Sequence, residues 1–308
     1  MQPHSVRWLR SRVSPVTEVV SLFAELNNLK RVGVMGSSHS LAEQFFTQGW
    51  AALVRGQDDC EVALQISAQF IASARLGGIN RGVLAGAGQD SSEITETLVR
   101  SFRAVSAGLD ACLSGPLEEQ LAFGLEAGPT PEFVGCLCAQ PRAGATSPGK
   151  PRIVLTPAES HGDHCLVVGV YAVCLAPRYG ASIGKTFLAA LAHHLHNAYL
   201  PDAGFTGEEM LGGALARVMA AFRMRAGDQL EAGLRERVFD ALEAIATADT
   251  AEGKAFHAAD VMDRVLQMKW YESAANFQLH MAMEDMQLVH AGPVQEFHRT
   301  VLRETGLW

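Results

Sequence analysis

Five histidines fall within thirty-six residues of this 308-residue chain: His161, His164, His193, His194 and His196. A sixth, His257, stands three positions before Asp260. Imidazoles drawn from separate helices, joined by one carboxylate, make a ligand set for Zn, Mn, Fe or Co with a position left over for water. An ion so held lowers the pKa of water and polarises a phosphoryl oxygen. On a helix over 188–199, His193 and His196 share a face with Asn197, and His194 points about 100° away from His193. Adjacent imidazoles on such a helix can still both reach one cavity when it runs tangentially past the cavity. A lone histidine on an apolar face is more often a core or surface residue than a ligand. His4, His39, His280, His290 and His298 are read that way, while His196 and His257 are neighbours of the candidate ligands.

The elements that must position these residues follow from hydrophobic spacing. Residues 141–160, PRAGATSPGKPRIVLTPAES, hold four prolines and two glycines and cannot form a continuous helix. They divide the chain into 1–140 and 141–308. Ahead of the division, the runs at 41–56, 60–78 and 91–109 each carry apolar residues at helical spacing, the second closing on Gly77-Gly78. Behind it, runs at 164–180, 183–200, 208–225, 234–248, 253–290 and 294–305 repeat the pattern, joined by short connections rich in Gly, Pro or Asp. The expectation is an all-α protein: a helical bundle preceded by a helical N-terminal segment.

Composition narrows the partners. The chain is 48% hydrophobic and 19% charged with a formal net charge of -8, which fits a globular protein and argues against a nucleic-acid backbone as partner. Six cysteines without C-x-x-C spacing suggest neither a disulfide framework nor a zinc ribbon. Arg7, Arg10 and Arg12 are followed by a stretch broken by Glu18 and Glu25, so no signal peptide or membrane span is expected and the cytoplasm is the default. Two phosphate-loop look-alikes fail. GASIGKT at 180–186 has Tyr179 where a first glycine is required and no buried strand before it. RVGVMGSSHSLAEQ at 31–44 reads as strand, turn and helix start but lacks the dinucleotide glycine fingerprint.

The runs ESHGDHCLVVGVYAVCLA, LAALAHHLHNA and FHAADVMDRVL, taken together, resemble the H…HD…D signature of the HD-domain superfamily over roughly residues 148–275. The resemblance implies that His164, His193 and Asp260 are metal ligands. Where the family has an aspartate after the second histidine, this chain has His194, which ligates one ion but bridges two poorly. The resemblance therefore implies a divalent metal (Zn, Mn, Fe or Co) at a His164/His193/His194/Asp260 centre, mononuclear rather than dinuclear. Two metals held with help from His161, His196 or His257, or a fold that holds none, are the other outcomes. PRIVLTPAESHGDHCLVV is similar to the arginine-containing approach of HD-type 5′-deoxynucleotidases, which implies a phosphate-binding Arg152, with Lys150 beside it, and puts Asp163 where that group has Glu. Asp202, Glu208 and Glu209 lie where HD hydrolases place an acid that manages the proton of the attacking water. They also suit a helix N-terminus, whose macrodipole favours acids. The implied function is hydrolysis of a small anionic phosphorylated substrate, a phosphomonoester or nucleotide. An HD-type iron oxygenase, or a ligand-binding scaffold without turnover, is the alternative, and the sequence is open to a homo-oligomer. Residues 1–140 resemble nothing nameable.

Overall fold

A computed structural model describes residues 16–147, 149–150, 152–275 and 278–308. The N-terminal arginines at positions 7, 10 and 12 lie outside the described residues. The protein is all-α, with three isolated β-bridges and no strand among the described residues. The helices in chain order are α1 (Val16–Asn28), α2 (Leu41–Val54), α3 (Asp59–Leu76), α4 (Arg81–Gly86), α5 (Ser91–Arg103), α6 (Ala111–Gln120) and α7 (Glu132–Ala139). After the proline-rich connection follow α8 (His161–Tyr179), α9 (Ile183–Ala192), α10 (Gly204–Leu211), α11 (Leu215–Gly227), α12 (Ala232–Ala244), α13 (Ala251–Ala275) and α14 (Gln295–Thr305). Among the described residues, no helix is long and apolar enough to cross a membrane.

Helix α8 is the axis of the molecule. Every residue from His161 to Ala176 is buried, which marks a helix enclosed on all sides rather than one with a solvent face. Its most extensive neighbours are α9 and α13, and α2, α3 and α7 close the other sides. Small residues permit this crowding: a Cβ at Gly169 would come within 3.1 Å of the Phe187 ring of α9. One hydrophobic core runs from Val19 to Leu307, through helices on both sides of residue 140. Phe23 of α1 stacks on Tyr171 of α8 with centroids 3.9 Å apart, and the Tyr171 hydroxyl donates to the Phe23 carbonyl. Trp50, wholly buried, meets the edges of Phe46 and Phe133.

The proline-rich connection doubles back on itself. Ala145 and Ile153 pair through two backbone bonds of 3.1 and 3.0 Å, and Arg142 N–H donates to the Glu159 carbonyl at 2.8 Å. Gly144 makes the close approach workable. Its φ is +75°, and a Cβ there would lie 2.3 Å from the Ile153 carbonyl oxygen. Arg142 and Glu159 are thereby returned to the same place, at the start of α8.

Several helices are shorter than their apolar patterns suggest. The run at 183–200 stops at Ala192 and continues as a 3₁₀ turn over Leu195–Ala198. The run at 208–225 is interrupted by Gly212, at φ +50°. In the glycine-rich decoy, Gly180 is the left-handed cap of α8 at φ +68°. The stretch at 31–44 forms one bridge, Gly33 with Ser40, instead of a strand, and Ser40 then starts α2 through a capping box with Glu43.

Candidate metal centre

His161 and His164 occupy the first turn of α8. Ser160 fixes that turn: its side chain accepts from Asp163 N–H at 3.1 Å, and Asp163 accepts from Ser160 N–H at 3.1 Å. Asp163 also accepts from the Ser40 hydroxyl of α2, so this acid locks two helix starts together instead of facing the histidines. His161 donates Nδ1–H to the Gln140 carbonyl at 3.1 Å and turns Nε2 toward Asp202, 3.6 Å away. His164 is 1% exposed. It donates Nδ1–H to Asp263 Oδ2 at 2.8 Å, with Glu159 Oε1 at 3.4 Å, and so presents Nε2 to the interior of the site.

His193 and His194 sit where α9 ends, which is how neighbouring residues come to face one point. His193 is the C-cap in helical conformation, and its Nδ1–H donates to the Ala190 carbonyl at 2.6 Å, occupying an acceptor left free at a helix terminus. His194 leaves the helix at φ -102°, ψ 19°. Its Nδ1–H donates to Asn197 Oδ1 at 2.8 Å, and its Nε2 accepts from Arg142 at 3.3 Å. These tautomers are assigned from the partners: carbonyls and carboxylates only accept, and guanidinium only donates. The two rings lie 4.2 Å apart, and each lies close to His164, at 5.1 Å for His193 and 5.3 Å for His194. A tangential helix is therefore not what brings them together; the helix stops.

Helix α13 supplies the acids. Asp260, Asp263, Arg264 and Gln267 follow i, i+3, i+4, i+7 and share one face. Asp260 Oδ1 lies 3.2 Å from His164 Nε2, and Oδ2 lies 3.7 Å from Arg264. Asp263 is fully buried beneath His164 and accepts from Asn27 at 3.0 Å and from Lys30 at 2.6 and 2.8 Å. Lys30 also bonds Glu159 at 2.9 Å.

The donor set fits a cation. One donor nitrogen from each of His164, His193 and His194 lies within 4.8 Å of the others. His164 Nε2 and His193 Nε2 are buried without a hydrogen-bond partner, which is costly unless something occupies the space between them. The Asp260 contact with His164 is short yet poorly aligned as a hydrogen bond. Two ligands on one tetrahedral ion with bonds of about 2.0–2.1 Å stand roughly 3.3–3.4 Å apart, close to that spacing. The Asp263–His164 pair is the carboxylate–imidazole arrangement that orients metal-bound histidines. His194 differs from the other two because its Nε2 is already shared with Arg142.

Electrostatics separate the four residues. Burial pushes the His193 imidazole well below the ordinary value, and His164 pushes it further. Burial and then His193 do the same to His194. Both are therefore neutral, the form that ligates metal. For His164, burial and Arg142 act downward, but Asp260, Asp263 and Glu159 outweigh them and raise it to about 9. Asp260 is held well below the carboxylate range despite its burial, chiefly by His164 and Arg264.

The histidines open on a cavity of about 780 Å³. Arg142, Arg152 and Arg264 are its cations, and Phe205, Phe256, Met268 and Leu288 are among its apolar walls. Of the residues singled out from the sequence, His193, His194, Asp260, Arg152, Asp202 and Glu208 line it, with His164 just behind. Arg152 spends its guanidinium on the Ala143 and Ala203 carbonyls at 2.9 and 2.8 Å. Asp202 accepts from Ala143 N–H at 2.9 Å and Gly204 N–H at 2.8 Å. Its own burial works upward, but Arg142 and those amides leave its carboxyl below the usual value. Burial and then Asp202 raise the Glu208 carboxyl. Glu209 is exposed and does not line the cavity, and Lys150 lies outside it too, exposed and 3.5 Å from Asp285. Arg142, Arg264, Glu159, Asp263 and Lys30 were not singled out. Only Asp263 and Arg264, on α13 one turn beyond Asp260, carried a readable signal, the shared helical face.

A model of the family described as HD domain matches residues 136–301. No curated protein and no solved structure matches the chain. The matched span covers more than half of the chain, runs from α7 into α14, and takes in His164, His193, His194 and Asp260 while leaving out α1–α6.

Proposed function

This chain belongs to the HD-domain family, and we propose that it is a metal-dependent hydrolase of a small phosphorylated substrate, a phosphomonoester or nucleotide. One observation carries the reading. Three imidazoles converge, with the Asp260 carboxylate 3.2 Å from His164 Nε2, and His193, His194 and Asp260 line a cavity that also holds Arg142 and Arg264. Cation-binding and anion-binding groups thus meet in one enclosed space, as transfer of a phosphoryl group requires.

His164, His193 and Asp260 would hold the ion, with His194 as fourth ligand once its Nε2 parts from Arg142. When bound, a divalent cation there supplies a Lewis acid and an acidified water. The chain's own residues do the rest. Arg142 and Arg264 hold the phosphate oxygens in place, and Arg152 stiffens the cavity wall by tying Ala143 to Ala203. Glu208 receives the proton of the attacking water: it lines the cavity, and its raised carboxyl pKa suits a base better than Asp202, which is committed to two backbone amides. The apolar walls take the organic part of the substrate and exclude bulk water.

The test is phosphate release from a panel of nucleoside monophosphates and sugar phosphates, in the presence of each of Zn, Mn, Fe and Co. Wild type should turn over at least one substrate, with His193→Ala and Arg142→Ala each reduced by a hundredfold or more. Equal phosphate release by wild type and His193→Ala would remove the hydrolase reading.

A further inference from the structure

Lys30 lies outside the span matched to the HD family, in the 3₁₀ turn Leu29–Arg31 that follows α1, yet its side chain is 1% exposed beneath the histidine cluster. A buried ammonium is expensive unless paired and fully bonded. Here it has three short contacts, to Glu159 Oε1 at 2.9 Å and to both Asp263 oxygens at 2.6 and 2.8 Å. Those two carboxylates are the pair that crowds His164 Nδ1, at 3.4 and 2.8 Å. Two acids on one imidazole N–H repel each other, and only one can take the proton squarely. Lys30 lies against both and cancels one of their charges. It also bonds both oxygens of Asp263, including the Oδ2 that takes the His164 proton, and Asn27 adds a third bond at 3.0 Å to Oδ1.

We propose that Lys30 is a positioning residue for the metal centre, clamping Glu159 and Asp263 so that Asp263 holds His164 by Nδ1 and Nε2 is the nitrogen presented to the cavity. The inference rests on His164 being a metal ligand. It gives the N-terminal segment a definite role: the HD span carries the ligands, and the turn after α1 carries the cation that sets the orientation of one of them. Arg31 is the neighbouring cation but does not substitute, since it is spent on Gln267 at 2.9 Å and on Asn27. Asn27 and Lys30, three residues apart, both reach Asp263 from one side of this helix end.

The test is calorimetric titration of Zn²⁺ into the metal-free 308-residue protein, alongside thermal unfolding of the same samples. Loss of a residue that orients a ligand weakens metal binding by roughly 10–100-fold. Lys30→Met should show that loss. Lys30→Met/Glu159→Gln, which removes a carboxylate together with the ammonium, should recover most of it. Unchanged zinc affinity in Lys30→Met, or a double variant as weak as the single, overturns the proposal. If Lys30→Met does not accumulate as folded protein, Asp263→Asn carries the test. It should weaken zinc to a similar degree, and wild-type affinity in it overturns the proposal. A metal-free readout separates this inference from the metal reading. The His164 Nδ1–H should give a slowly exchanging, low-field proton NMR signal in wild type that is lost in Lys30→Met. If wild type binds no metal yet the signal behaves so, the metal reading fails and the clamp stands; a signal that persists unchanged in Lys30→Met overturns the clamp.

Discussion

Replacing Arg142 by Met should move two affinities in opposite directions. Arg142 donates to His194 Nε2 at 3.3 Å and lines the cavity, while its backbone N–H stays bonded to the Glu159 carbonyl whatever the side chain. The substitution therefore spares the loop. It deletes one donor for an anion, and a hydrogen bond to a charged group is worth about 1.5–3 kcal/mol, so inorganic phosphate should bind roughly 10–100-fold more weakly. It also frees His194 Nε2 and withdraws a positive charge from a cation site. A unit charge and a divalent ion about 5 Å apart at an effective dielectric of 20 interact by roughly 7 kcal/mol. Glu159, Asp202 and Asp260 offset part of that repulsion, since Arg142 contributes to holding the first two below their ordinary values. Zinc affinity should rise by about tenfold at constant pH. Calorimetry with zinc alone, then with phosphate added to the zinc-loaded protein, reads both numbers. Zinc binding that weakens in Arg142→Met, or phosphate binding that is unaltered, would refute the reasoning that this guanidinium faces the anion and competes for His194.

Other consequences follow from single residues. His298 is 5% exposed, and burial lowers its pKa to about 4 against an unfolded value near 6.5. Above pH 6.5 it is neutral in both states; as pH falls from 6.5 to 4 only the unfolded state gains the proton, so stability is lost over that window. The loss is about 3 kcal/mol from this residue, and urea unfolding of His298→Leu should show a pH dependence shallower by that amount; equal slopes would contradict it. Arg152→Ala should cost about 1 kcal/mol through two lost carbonyl bonds and loosen substrate binding, seen as a raised KM. Lys150→Ala should alter neither, because Lys150 is exposed and outside the cavity. Ser160→Ala breaks the capping box that sets the first turn of α8 and should lower stability by about 1 kcal/mol in a thermal melt.

The sequence was most readable where function imposes spacing. His164, His193 and Asp260 stand out because a family pattern fixes their intervals, and the helical class follows from apolar periodicity. What could not be read depends on the local breaking of a helix or on distance along the chain. His194 faces the cavity because α9 ends at Ala192 with His193 bonded to Ala190, and nothing in the run LAALAHHLHNA marks that stop. Arg142 looked like linker composition, since proline and glycine signal irregular backbone without saying that it doubles back beside α8. Asp263 and Arg264 were within reach of a helical-face argument from Asp260. Lys30 was not: its partner Asp263 is 233 positions away. Residues 1–140 resembled nothing nameable, and through Lys30 they reach the deepest part of the site.

The claim on which all of this depends is that His164, His193, His194 and Asp260 hold a metal ion. Metal analysis of the protein purified without chelator, beside His193→Ala prepared identically, tests it most directly. The account predicts about one divalent ion per chain in the wild type and a large loss in the variant, with wild-type thermal stability rising on metal addition. Metal-free wild type that neither binds Zn, Mn, Fe or Co nor gains stability from them, or equal metal content in the two proteins, would contradict it.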